Sequence, residues 1–311
     1  MNFYVGVTDN EWFDFLRQRN PDEVNFWRPG RQPFGVLTEG EPFLFKLHSP
    51  QNYIVGGGFF FRYTRLPLSM TWKVFGDKNG ADTYEEFSAK IFSHLGTARR
   101  QLPDPEIGCI ILVVPFFLDR ADWIPAPRDW SPNIVSGKTY DSEGLIGKEI
   151  WLRVEAILQR QKVGTVPAKP ALVAEPVPRY GSKHLVETRL GQGAFRTLVI
   201  DAYGRRCAIS GEKTVPVLEA AHIKPYSESG PHRLDNGLLL RSDLHILFDE
   251  GYIAVSDTLN VEVSRKIKEE YENGRDYYRY HGKPLALILP DLSERPAPEY
   301  LAWHRENLYR G

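Results

Sequence analysis

Cysteine is almost missing from these 311 residues: Cys109 and Cys207 are the only two, and they lie far apart. No disulfide framework can be built from them, so a reducing, cytoplasmic setting is expected. Neither sign of charge dominates. Against 39 Lys and Arg stand 40 Asp and Glu, a net charge of −1, so no bulk basic surface announces nucleic acid. Long apolar runs are missing too. The longest, Cys109 to Leu118, has ten residues and is broken by Pro115. That is too short to cross a bilayer, and no membrane partner is expected. The opening stretch carries Asp9, Glu11 and Asp14 with no basic residue before them, unlike a secretory signal.

What is present has the balance of a folded protein, 42% apolar and 25% charged, with length for about two domains. The segment Gln161 to Gly181 divides them. It holds prolines at 167, 170, 176 and 178 and shows no apolar period. Prolines so close together exclude a helix interior or a central strand and favour a stiff connector. The expected organisation is therefore a domain over residues 1–160, a Pro-rich linker over 161–181 and a second domain over 182–311.

The first domain reads as α+β. A strand over Asn2–Val7 leads through the cap candidates Thr8 and Asp9 into an amphipathic helix near Glu11–Arg19. Strands at Pro42–His48 and Tyr53–Tyr63 flank the turn residues Ser49-Pro50-Gln51-Asn52. A helix near Tyr84–Leu95 and a buried strand, Ile107–Phe117, complete a curved, mostly antiparallel sheet. Gly56-Gly57-Gly58 marks a bulge or close backbone approach, because the Lys-Ser/Thr pair of a phosphate loop is absent. Beyond the linker a helix is expected over Gly193–Tyr203, strands near Val215–Ile223 and Gly237–Leu240, and a helix over Ser242–Asp249. Two more strands and a C-terminal helix follow.

Several chemistries fail on inspection. Gly191-Gln-Gly193-Ala-Phe-Arg196 imitates a dinucleotide fingerprint, but Arg196 stands where the third glycine belongs and no strand precedes it. There is no Gly-x-Ser-x-Gly and no His-Glu-x-x-His. Cys207-Ala-Ile-Ser210 offers one cysteine where a zinc knuckle needs two, so no structural zinc is expected. One constellation survives. His222 closes a strand, and His245 and Asp249 sit four residues apart on a helix, where they share a face and can point at one ion. Phosphodiester hydrolysis needs a base for water and a cation for the phosphate and leaving oxygen. A helix-surface pair beside a structural histidine would look the same.

From Arg189 to Asp257 the chain resembles the HNH (ββα-metal) endonucleases. The modules are Arg189 to Arg196, Tyr203 to Gly211 and Ala220-Ala-His-Ile-Lys-Pro225, in the family's order. The resemblance implies a ββα-metal fold and DNA cleavage. It makes His222 the general base, Asn236 the residue that ties down the base's loop, His245 a metal ligand and Asp249 a second. Many members place Asp or His just before the base, and Ala221 cannot serve. The ion, Mg²⁺ or Mn²⁺, would then keep more of its waters. Arg189, Arg196 and His232 are candidate phosphate contacts.

Glu39 to His48 followed by Asn52 to Phe59 resembles the PUA-like superfamily, which includes the EVE, YTH, ASCH and SRA modules. There such a hairpin borders a pocket for an extruded base. Trp27, Trp123, Trp130 and Tyr140 stand in polar contexts and supply faces on which a base could stack. Joined to an HNH nuclease, such a reader is similar to the modification-dependent restriction endonucleases. The implied partner is double-stranded DNA carrying modified cytosine, and cutting both strands would take a homodimer or two encounters. Two other readings stay open: a nuclease for unmodified DNA whose first domain mediates interactions, and an inactive nucleic-acid-binding regulator.

Overall fold

The computed structural model describes residues 1–30, 32–163 and 190–311. The chain divides into two compact units, Met1–Leu190 and Gly191–Gly311. No helix among the described residues is long and apolar enough to cross a membrane.

In the first unit, β1 (Asn2–Thr8) stops where Asp9 adopts extended angles and caps α1 (Asn10–Arg19). The Asp9 carboxylate accepts the Glu11 N–H at 2.7 Å and the Trp12 N–H at 3.4 Å. Such a cap stabilises a helix by about 1 kcal/mol. α1 buries Trp12, Phe13 and Leu16 at the 3–4 spacing of one helical face. Then come β2 (Glu23–Arg28), β3 (Pro42–Leu47), β4 (Tyr53–Pro67), α2 (Leu68–Phe75), α3 (Tyr84–His94) and a short α4 (Thr97–Arg100). β5 (Glu106–Phe117), β6 (Ile124–Pro125), β7 (Gly137–Asp141) and α5 (Leu145–Val163) finish the unit.

The sheet runs β2-β5-β4-β3-β1-β7, with β6 against β4. Only the β1–β3 pair is parallel. β5 lies inside the sheet and its residues Ile107–Val113 are all buried, as its unbroken apolar run requires. The glycines of β4 mark close approach: a Cβ on Gly56 would lie 2.4 Å from the Phe116 carbonyl oxygen, and one on Gly57 2.6 Å from that of Phe43. The register slips beside them, between Gly57 and Phe59, as at a bulge.

Three expectations change. Trp27 does not stand in a polar stretch apart from the sheet; it lies in β2, paired with Cys109. Tyr140 likewise lies in β7, opposite Phe3. α5 carries through Gln161–Val163, because the prolines assigned to the linker begin only at 167. The rest of that linker lies outside the described residues.

The second unit opens with α6 (Gln192–Ala202), which buries Ala194, Phe195, Val199 and Ile200. β8 (Leu218–His222) and β9 (Gly237–Arg241) form an antiparallel pair, followed at once by α7 (Ser242–Asp249). Val215–Val217 is a tight turn of helix, not the start of the strand. β10 (Ile253–Val255) and β11 (Val261–Val263) pair next, then α8 (Lys266–Tyr271), α9 (Arg275–Tyr278) and α10 (Pro298–Asn307). His304 of α10 is buried, lies flat against the Phe248 ring at 3.8 Å and donates from Nε2 to the Phe248 carbonyl, anchoring the end of α7.

Candidate active site

Two strands and one helix place the polar residues of the second unit. His222 is the last residue of β8 and pairs with Gly237 at the start of β9. Side chains alternate along a strand, so Glu219 and Ala221 share the face opposite to His222. That face meets α7: the His245 Nδ1–H donates to Glu219 Oε2 at 2.8 Å. On its other side His245 Nε2 lies 3.2 Å from Asp249 Oδ2, the i,i+4 neighbour. Glu219 was not among the residues singled out from the sequence. Its signal was there: two residues before Ala221, it falls on the same strand face.

His222 lies in an aromatic setting. The buried Phe195 ring stacks on it at 3.9 Å and 14°. Its Nε2 shares a hydrogen bond of 2.9 Å with His232 Nδ1, and Tyr226 stacks on His232 at 4.5 Å and 5°. Burial is the largest cause of a His222 pKa pushed down to about 4. The charges of His232 and Arg196 act in the same direction, and Asp249 acts against them. At neutral pH the imidazole is therefore the free base. For His245 burial also disfavours the charged form, but the bonds and charges of Asp249 and Glu219 outweigh it and hold the pKa above its ordinary value.

Asn236 is fully buried and clasps the loop after His222. Its Oδ1 accepts the Lys224 N–H at 2.8 Å, and its Nδ2 donates to the carbonyls of Lys224 at 3.0 Å and Pro231 at 2.9 Å. A buried amide with three bonds leaves its loop little freedom. Arg196 stands on α6 and Arg189 lies outside the described residues.

Residues 207–256 match the HNH endonuclease family. The HNH segment therefore contains His222, Asn236, His245 and Asp249, with Glu219 and His232. No curated protein matches the chain. Among solved structures, the ASCH protein from Zymomonas mobilis is 12% identical, with 50% of this chain and 94% of that chain covered and a TM-score of 0.32. The modification-dependent TagI restriction endonuclease is 14% identical over 92% of this chain and 75% of its own, with a TM-score of 0.29. Both are distant likenesses only.

The donors beside His222 suit a hard, hydrated cation. His245 Nε2 and Asp249 Oδ2, 3.2 Å apart, are the two donors that could hold such an ion. Glu219 on Nδ1 would leave Nε2 to hold the ion, the usual outer support of a metal-binding histidine. Among the described residues no group of three or more His, Cys, Asp or Glu side chains is arranged to hold a metal ion. The fit is to an ion that keeps most of its waters, not to a protein cage.

Among the described residues no ring contact joins any two of the four aromatics of the first unit. Trp27 donates from Nε1 to the Asn79 carbonyl at 3.0 Å and packs near Phe87 and His94. Trp123 donates to the Leu118 carbonyl at 3.2 Å, beside Phe13 and Tyr53. Tyr140 is buried, stacks on Phe3 at 5.7 Å and donates to Asp129 at 2.8 Å. Trp130 lies over a residue the sequence did not flag. Lys46 is 2% exposed, and its Nζ stands 4.9 Å from the Trp130 ring. That ammonium donates to the Leu47 carbonyl and Asn52 Oδ1, both at 2.9 Å, and burial lowers its pKa.

Proposed function

We propose that the chain is a modification-dependent DNA endonuclease, whose HNH domain hydrolyses phosphodiester bonds and whose first domain reads a modified base, a modified cytosine in the first instance. One observation carries the nuclease part. Within a segment matching the HNH endonucleases, an imidazole held neutral by burial ends a strand, and its Nδ1 has no hydrogen-bond partner among the described residues. That lone pair can take a proton from water. The water oxygen bonds to phosphorus as the bond to the leaving oxygen breaks, and the leaving oxygen takes a proton from solvent. His222 is the base, Asn236 holds its loop, and His245 and Asp249 would hold Mg²⁺ or Mn²⁺. When bound, the cation supplies positive charge to the phosphate and leaving oxygen. Arg196 adds charge near the phosphate.

Base reading rests on the PUA-like hairpin pattern and on the aromatics. Trp130 above the buried Lys46 combines a stacking face with a hydrogen-bond donor, which suits a base carbonyl better than the strand-bound Trp27 does. The near-neutral charge of −1 keeps non-specific affinity low, as an enzyme that must spare bulk DNA requires. The test is cleavage of matched duplexes, cytosine-modified and unmodified, with Mg²⁺ or Mn²⁺. Cutting of the modified duplex alone is expected, with the His222→Ala chain inert but still binding. Equal cutting of both duplexes rejects the reader; no cutting of either rejects the nuclease.

A further inference from the structure

We propose that His232 is a positioning residue that holds His222 in its Nε2–H tautomer, so that the Nδ1 lone pair faces the attacking water. This rests on the nuclease reading and names the group that readies its base. The two rings meet through a single bond, His222 Nε2 to His232 Nδ1 at 2.9 Å. Two arrangements of protons satisfy that bond between neutral rings. In one, His222 Nε2–H donates and both side chains are Nε2–H tautomers. In the other, His232 Nδ1–H donates, both are Nδ1–H tautomers, and the nitrogen meant for water already holds a proton. The free side chain favours Nε2–H, so the first arrangement satisfies both rings at once. It is also the only one in which His222 Nδ1 can act as a base.

Rotation out of this geometry is blocked on two sides. Phe195 stacks on His222 at 3.9 Å, and Tyr226 lies parallel to His232 at 4.5 Å. Asn236 bonds the carbonyl of Pro231, the residue before His232, at 2.9 Å, so one buried amide holds the loop ends of both histidines. An imidazole acceptor differs here from a carboxylate. A carboxylate in the place of His232 would also fix the tautomer, but it would stabilise the protonated ring and raise the pKa of the base. The charged and titratable groups that act on His222 are His232, Arg196 of α6, and His245 and Asp249 of α7. After proton transfer His222 carries protons on both nitrogens, still donates Nε2–H to His232, and returns the Nδ1 proton to solvent.

Two substitutions separate this role from a phosphate contact. His232→Phe keeps a ring for Tyr226 to stack on and removes the acceptor; His232→Asn keeps an acceptor near the place of Nδ1. In the full-length chain, with cytosine-methylated plasmid and Mg²⁺ or Mn²⁺, His232→Phe should lower kcat at least about tenfold and leave KM and duplex affinity within about threefold. His232→Asn should restore a large part of kcat. Long-range ¹H–¹⁵N spectra of the imidazoles read the tautomer directly: neutral His222 should be Nε2–H in the wild-type chain, with Nδ1–H gaining population in His232→Phe. Wild-type kcat in His232→Phe overturns the proposal. So does an equal fall in both variants with weakened duplex binding, which would make His232 a phosphate contact. A wild-type His222 in the Nδ1–H form overturns it even in a chain that cuts nothing, so failure of the nuclease reading is told apart from failure of this one.

Discussion

Acid should loosen the HNH unit through His222. Its pKa is about 4 in the fold, against 6.5 for the unfolded side chain. Between those values the unfolded chain binds the proton and the folded chain does not, so stability falls as pH falls, and it is fully present above about pH 7. With 1.36 kcal/mol per pKa unit, the loss from His222 alone on going from pH 7 to pH 5 is about 2 kcal/mol. Below pH 4 both states carry the proton and the loss levels off. Trp303 is the only tryptophan in residues 191–311, so urea unfolding followed by ¹⁹F NMR of a fluorotryptophan-labelled chain reports that unit separately. His222→Gln removes the titrating group. The stability difference between wild type and variant should shrink or change sign by about 2 kcal/mol from pH 7 to pH 5. A difference that stays constant over this range would refute the reasoning, because the imidazole would then be solvated as well in the fold as outside it.

Three further outcomes are expected. EDTA should stop cleavage and Mg²⁺ or Mn²⁺ restore it; His245→Ala should be more severe than Asp249→Ala, and Glu219→Gln should raise the half-saturating ion concentration about 10- to 100-fold in titrations of rate against ion concentration. Asn236→Ala should cost about 1–3 kcal/mol for each buried partner left unsatisfied, Lys224 N–H first, seen as earlier urea unfolding of the Trp303 signal. In a cleavage-dead His222→Ala chain, Trp130→Ala should remove the preference for a methylated over an unmethylated duplex by anisotropy, a loss of about 1–3 kcal/mol of stacking; an intact preference would move the pocket elsewhere.

What was legible in the sequence was local. The Asp9 cap, the i,i+4 pair His245 and Asp249, the buried strand of β5 and the modules around His222 each occupy a few consecutive turns or one strand, and their side-chain periods are dictated by helix and strand geometry. Aromatic residues were harder. Trp27 and Tyr140 look like free stacking faces in a polar stretch, yet strand pairing with Cys109 and Phe3 placed them in the sheet, where neighbours on other strands decide what a ring touches. Only tertiary structure set His232 against His222, ten residues on, and Glu219 against His245, 26 residues on. It alone set the buried Lys46 beneath Trp130. Such pairs join elements across a turn or a strand face. The two histidine pairs draw their energy from burial and from a hydrogen bond between groups that the folded chain brings within 3 Å, a distance that no pattern of neighbouring residues encodes.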